Sequence, residues 1–127
     1  MTIQPGEIRW TITPFFNAKS GKMDLKRRPA LILAQADEGD YIVLPISRIS
    51  RRENRNSEYD ILIEPEDYPL LNLSAVSFVR THKQTVIHEK EIAEIMGNIR
   101  ENYEDLYLLI LEKREKFSAE ISEQALT

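Results

Sequence analysis

Hydrophobic and polar residues alternate near the start of the chain with the period of a β-strand. Between Ile8 and Thr13, apolar side chains at every second position are separated by Arg or Thr, and successive side chains of a strand point to opposite faces. Pro14 follows, and we expect the strand to end there. Residues 15–28 (FFNAKSGKMDLKRR) do not alternate in this way, and they are predicted to form a long loop with Gly21 at a turn.

Several short strands are predicted in the next part of the chain. The apolar runs 30–34 and 41–46 are separated by the turn-forming sequence ADEGD, which predicts an antiparallel hairpin. Further strands are expected over 59–63 and 75–81, with a short extended piece at 85–87.

After residue 91 the period changes from that of a strand to that of a helix. Ile92, Ile95, Met96 and Ile99 follow the i, i+3, i+4, i+7 spacing of an amphipathic helix, with Gly97 near its C-terminal end.

The same spacing returns between Tyr103 and Leu111, which predicts a second, longer helix that runs to about Phe117. Residues 118–127 have no apolar stripe and are expected to fray. The pattern as a whole predicts a mainly β (α+β) fold: a small barrel of about five to seven strands, closed by one short and one long C-terminal helix.

Composition favours one ordinary domain in a reducing compartment. The chain has 127 residues, 42% of them hydrophobic and 30% charged, and no cysteine, which excludes disulfides and thiolate metal sites. It shows no secretion signal and no apolar run near the roughly 20 residues of a membrane span. We therefore expect a cytoplasmic protein without a membrane segment.

Charge is distributed unevenly along the chain. Residues 1–58 carry ten Lys/Arg against seven Asp/Glu, and residues 59–127 carry seven against fourteen, so that net charges of +3 and -7 sum to -4. The asymmetry fits either a basic working face on an acidic scaffold or an acidic half that simply forms surface helices.

Two basic stretches stand beside predicted strands. In KRRPALIL, Lys26, Arg27 and Arg28 precede Pro29, which favours an extended backbone at the last arginine. In the stretch 47–55 (SRISRRENR), four arginines are mixed with hydroxyl and amide side chains. Arginine forks suit phosphate oxygens, so each stretch is either a phosphate-binding site or a solvated polar loop.

Arg80 and His82 are two residues apart in a predicted strand and should share a face. Arginine supplies permanent charge and histidine a proton that moves near neutral pH. Together they offer the functions that RNA cleavage by its own 2′-hydroxyl requires, although such a pair can equally be structural. The chain has no phosphate-binding glycine loop, nucleophile elbow or convincing metal-ligand spacing, and we predict no metal or other cofactor.

In order along the chain, PGEIRW, KRRPALIL, YIVLPIS, LNLSAVSFVRTHKQTVI and IAEIMGNI resemble the MazF/PemK family of toxin ribonucleases over residues 5–112. The resemblance implies an SH3-like barrel occupying residues 1–117 as a single domain. It also implies a homodimer that cuts single-stranded RNA (mRNA) without metal, leaving a 2′,3′-cyclic phosphate and a 5′-hydroxyl. A cognate antitoxin is the expected protein partner.

The resemblance also assigns roles to residues of this sequence. Arg28 precedes the proline of the family's RRP motif and would stabilise charge at the scissile phosphate. Ser47 stands where the family typically has Thr, and Arg80 would act as acid or charge stabiliser. His82 replaces an acidic residue implicated as the base. The residues expected to bind RNA without cutting it are Lys26, Arg27, Arg48, Arg51, Arg52 and Ser77.

These observations leave three functions open. The first is a toxin-type endoribonuclease acting through Arg28, Ser47, Arg80 and His82. The second is a catalytically inactive member of the same fold that binds nucleic acid or a protein such as a topoisomerase. The third is an SH3-like interaction module without a nucleic-acid role, which would leave the basic stretches unexplained.

Overall fold

The computed structural model describes residues 2–49 and 51–127, except for the side chain of Arg52. Within these residues the chain forms seven strands, a one-turn helix and a long C-terminal helix. They are β1 (Glu7–Asn17), β2 (Lys22–Asp37), β3 (Asp40–Ser47), β4 (Asp60–Ile63), β5 (Ser77–Arg80), β6 (Thr85–His88), β7 (Ile92–Asn98), α1 (Ile99–Asn102) and α2 (Glu104–Leu126).

The strands form a curled antiparallel sheet in the order β4-β5-β3-β2-β1-β7, with β6 paired to the other part of β3. The main core lies between this sheet and the helices, where Ile8, Leu44, Val79, Ile99 and Ile110 are almost completely buried. The predicted class, a small β-barrel with C-terminal helices, is confirmed.

The predicted loop at residues 15–28 is instead a hairpin. β1 continues through Pro14, which pairs with Leu25, as far as Asn17, which pairs with Lys22. Proline is tolerated there because β7 pairs with β1 only as far as Thr11, so that the proline faces an open edge and interrupts no second ladder. The hairpin β2–β3 and its tight turn agree with the sequence pattern.

The predicted helix over 92–99 is strand β7. It pairs with β1 through Ile92↔Thr11, Ile95↔Arg9 and Gly97↔Ile8, with register shifts between these pairs. Each shift breaks the simple alternation of a strand, and the resulting apolar spacing imitates that of a helix. The short helix follows as α1, where the side chain of Asn98 accepts a hydrogen bond from the Glu101 amide at 3.0 Å.

Helix α2 does not end near Phe117 but continues to Leu126, through residues expected to fray. Phe117 packs by its edge against the Tyr59 ring, at 5.1 Å between centroids, which anchors the second half of the helix to the residue that precedes β4. Within the described part of the chain, no helix combines the length and the apolar character needed to cross a bilayer.

Candidate nucleic-acid cleft

A cleft of about 350 Å³ opens between the base of the β1–β2 hairpin and the segment that precedes β5. Four cationic side chains line it together with three serines and one aromatic ring. Its lining comprises Trp10, Lys26, Arg27, Arg28, Pro29, Ile46, Ser47, Arg48, Leu73, Ser74, Ala75, Ser77 and Met96. No carboxylate is among these residues, so the cleft presents positive charge and hydroxyls above an apolar floor.

Arg28 is positioned by the sheet rather than by a loop. It pairs with Thr11, whose buried hydroxyl donates a hydrogen bond to the Arg28 carbonyl at 2.8 Å. Pro29 fixes the next backbone torsion, and pairing with β3 begins at Ala30. The sheet therefore fixes the backbone of Arg28, which forms part of the cleft lining.

The hydroxyls of the cleft come from the ends of two paired strands. Ser47 closes β3 and pairs with Phe78, next to Ser77 at the start of β5. The Ser77 hydroxyl is buried and donates to the Ala75 carbonyl at 2.9 Å. The structure thus brings Arg28, Ser47 and Ser77 to one cleft, from three different strands.

Among the other predicted RNA-binding residues, Lys26, Arg27 and Arg48 also line the cleft. The Arg48 guanidinium donates a hydrogen bond to the hydroxyl of Ser74, another residue of the cleft lining, at 2.6 Å. Arg51 is exposed but is not part of the lining, and the side chain of Arg52 lies outside the described residues. The basic stretch 47–55 therefore contributes to the cleft mainly through its first two residues.

Arg27 differs from its neighbours because its charge already has a partner. Its guanidinium forms an ion pair with Glu94 of β7 and lies 5.1 Å from the centre of the Trp10 ring. Neither Trp10 nor Glu94 was singled out from the sequence. The PGEIRW motif is the one sequence feature that points to Trp10. Nothing in the sequence connects Glu94 with Arg27.

Arg80 and His82 do not line the cleft. Arg80 lies three residues from Ser77 in β5, so its side chain points to the opposite face. There its Nε donates to Asp60 Oδ1 at 3.1 Å and its Nη2 to the Asn54 carbonyl at 3.1 Å. The expectation that Arg80 and His82 meet Arg28 around one phosphate is thus not fulfilled within a single chain.

His82 is nearly buried beside the same carboxylate. Its Nδ1 is 3.8 Å from Asp60 Oδ1 and has no hydrogen-bond partner among the described residues. The ring stacks on Tyr59 at 5.9 Å and meets the edge of Phe117 at 6.0 Å. Burial lowers the pKa of His82 and outweighs the Asp60 charge, which acts in the opposite direction.

The described residues contain no group of three or more His, Asp or Glu side chains that could hold a metal ion.

Comparison with known families identifies the chain. Residues 4–106 match the PemK-like, MazF-like toxins of type II toxin–antitoxin systems, which is 103 of 127 residues. The chain belongs to this family. A comparison with curated proteins found no match.

Membership of the PemK-like toxins confirms the resemblance seen in the sequence, and it implies an antitoxin partner and a family whose members generally cleave RNA. The matched region ends at residue 106, so most of α2 lies beyond it. Phe117, which covers His82, belongs to this additional part of the helix. The surroundings of His82 therefore include a contact outside the matched part of the chain.

Proposed function

We propose that this PemK-like toxin is an endoribonuclease that binds single-stranded RNA in the cleft and cleaves it there without a metal ion. The observation that carries the proposal is the convergence of Arg28, Ser47 and Ser77 in one cationic cleft that no carboxylate lines. Such a cleft suits a phosphodiester anion and offers no carboxylate to a hard cation.

In the proposed reaction the 2′-oxygen of the RNA forms a bond to phosphorus while the bond from phosphorus to the 5′-oxygen breaks. The 2′-hydroxyl loses a proton and the departing 5′-oxygen gains one, which yields a 2′,3′-cyclic phosphate and a 5′-hydroxyl. Negative charge grows on the non-bridging oxygens in the transition state. Arg28 is the residue proposed to stabilise it, with Ser47 as a hydrogen-bond donor that orients the phosphate.

The acid and base roles of Arg80 and His82 are a separate part of the proposal. Because Asp60 holds Arg80 away from the cleft, these roles require either a second copy of the chain or the release of Arg80 from Asp60. The homodimer that the resemblance implies belongs to the proposal for this reason. An antitoxin whose tail occupies the cleft would exclude RNA from it.

A catalytically inactive, RNA-binding toxin is the second candidate function. It is favoured by a specific observation: the cleft lining contains no histidine or carboxylate that could move a proton near neutral pH. His82 is the residue expected to do so, and it is nearly buried elsewhere. Under this alternative the cleft binds RNA and leaves it intact.

Cleavage of a long single-stranded RNA in the presence of EDTA separates these candidates. We expect the native protein to produce fragments with cyclic phosphate ends, and Arg28→Ala to reduce the rate by about 10²–10³-fold, as for other losses of a donor to transition-state charge. RNA that is bound but never cut by the native protein would establish the binding function instead.

His82→Ala is the companion variant in the same assay. A base role predicts a loss at least as large as that of Arg28→Ala. If His82→Ala cleaves RNA at the native rate while Arg28→Ala loses cleavage, charge stabilisation in the cleft accounts for catalysis and His82 takes no part in it.

A further inference from the structure

The Arg27 side chain combines three features that are not found together at the other cations of the cleft. Its guanidinium is backed by the Trp10 ring, it is paired with Glu94, and its side chain is still 55% exposed. Ile12 is the cross-strand partner of Arg27 and Trp10 lies two residues before it, so both side chains project from the same face of the hairpin. The result is an exposed guanidinium over an aromatic ring at the rim of the cleft.

The ion pair changes what Arg27 can bind. A guanidinium whose charge is neutralised by a carboxylate gains little from a phosphate, since the phosphate must first displace the carboxylate. Its planar face is unaffected, and unpaired bases stack on arginine planes as well as on aromatic rings. Lys26 and Arg28 have no carboxylate partner among the described residues, so their charges remain available for phosphates.

We propose that Arg27 and Trp10 form a stacking platform for one unpaired nucleobase of the RNA, next to the phosphate bound by Arg28. The base lies on the exposed face of the guanidinium, and the indole supports the other face. Glu94 is a positioning residue that keeps the guanidinium over the ring and cancels its charge. This assignment rests on the proposed function for the identity of the ligand, and it specifies how Arg27 would contribute to the expected RNA binding.

The salt dependence of binding distinguishes a stacking arginine from a phosphate-binding one. Each phosphate neutralised on a single strand contributes about 0.7 to the slope of log K against log salt. A stacked base contributes affinity, about 5- to 100-fold per base, without contributing to that slope. The suitable probe is a short oligonucleotide with 2′-O-methyl riboses, which cannot be cut through a 2′-hydroxyl.

We expect the double variant Arg27→Ala/Glu94→Gln, which removes the ion pair without leaving an uncompensated carboxylate, to weaken binding of this probe by about 5- to 100-fold and to leave the slope unchanged. Arg27→Lys should remain almost as weak, because lysine keeps the charge but lacks the plane. Lys26→Ala is the matched control from the same cleft, and it should reduce the magnitude of the slope by about 0.7. Thermal melting followed by circular dichroism checks that each variant is folded.

Glu94→Gln provides the reciprocal test. Removing the carboxylate releases the charge of Arg27, so the slope should become steeper by about 0.7. Trp10 is the single tryptophan of the chain, and its fluorescence should change when the probe binds to the native protein and change less in Arg27→Ala.

The platform is refuted if Arg27→Ala/Glu94→Gln lowers the magnitude of the slope by about 0.7 while Arg27→Lys retains the native affinity, since Arg27 is then a phosphate contact. Native affinity in the double variant, or an unchanged slope in Glu94→Gln, also contradicts it. These outcomes are independent of cleavage. If the protein binds the probe with this salt dependence but does not cut RNA, the stacking platform is supported and the proposed cleavage reaction is refuted.

Discussion

Three adjacent cations, Lys26, Arg27 and Arg28, have different surroundings although the chain presents them as one basic run. Arg27 is paired with Glu94 and lies over an aromatic ring. Arg28 has its backbone held by the hydroxyl of Thr11. A strand alternates its side chains between two faces, so neighbours in sequence meet different partners. The chemistry of the cleft therefore depends on the position of each cation and not on their number.

His82 is the residue whose protonation should influence stability. Its pKa is lowered in the folded protein, chiefly by burial, so the unfolded chain binds a proton more readily. Above the unfolded-state pKa of about 6.5, His82 is neutral in both the folded and the unfolded protein, and its contribution to stability is fully present. As the pH falls through 6.5 toward the lowered value, the unfolded state gains protons first, and stability is lost.

We predict that the free energy of unfolding decreases as the pH falls below 6.5, and that His82→Asn flattens this part of the profile. Urea denaturation at a series of pH values measures it. His88→Asn is the control, because it replaces the other histidine of the chain, which lies at an exposed position. An equally steep decrease in His82→Asn would assign the effect to other groups.

At the scale of elements, β7 and the segment before β5 are held in close contact at Gly97. The Asn72 amide donates to the Met96 carbonyl at 2.6 Å and to the Leu70 carbonyl at 3.3 Å. A methyl group on Gly97 would lie 2.5 Å from the Leu70 carbonyl oxygen and 3.0 Å from the Leu71 Cα. This contact positions the cleft wall, because Leu73, Ser74 and Ala75 follow directly and line the cleft.

Gly97→Ala should therefore destabilise the protein by about 1–3 kcal/mol, the usual cost of overpacking a rigid contact. It should also weaken RNA binding, because the cleft wall has to move away from β7. Urea denaturation and oligonucleotide titration measure the two effects. Ile95→Ala, at a half-exposed position of the same strand, should change stability by less than about 0.5 kcal/mol. Native stability in Gly97→Ala would show that the contact is not rigid.

At the scale of the whole molecule, a protein of net charge -4 is expected to bind a polyanion through one local cluster of cations. Three cleft cations, Lys26, Arg28 and Arg48, have no carboxylate partner among the described residues. If each neutralises one phosphate, at about -0.7 per phosphate, the slope of log K against log salt for single-stranded RNA is about -2.

Titration of the uncleavable oligonucleotide between 50 and 200 mM salt measures this slope, with each cation replaced in turn by alanine. A value near zero would mean that the cleft is not where RNA binds. A value much steeper than -2 would mean that cations outside the cleft, such as Arg51, also contact the phosphates.

The sequence by itself determined the features that depend on neighbouring residues. The hairpin of β2 and β3 follows from two apolar runs around a glycine turn, and the start of α2 from an i, i+3, i+4 stripe. The ordered motifs led to the PemK-like family, and Pro29 indicated that Arg28 is constrained. Such local patterns are governed by torsion preferences and by the period of side-chain directions.

Only the tertiary structure decided which distant residues meet. Arg27 and Glu94 are 67 positions apart, and Asp60 and Arg80 are 20 apart. Both pairs depend on the register of strands that are far apart in sequence. A slip of one residue would turn each side chain to the other face, and the bulges in β7 hide its register from the apolar pattern. For this reason the sequence could place cations near a cleft but could not show that Arg27 is already paired, or that Arg80 and His82 face away.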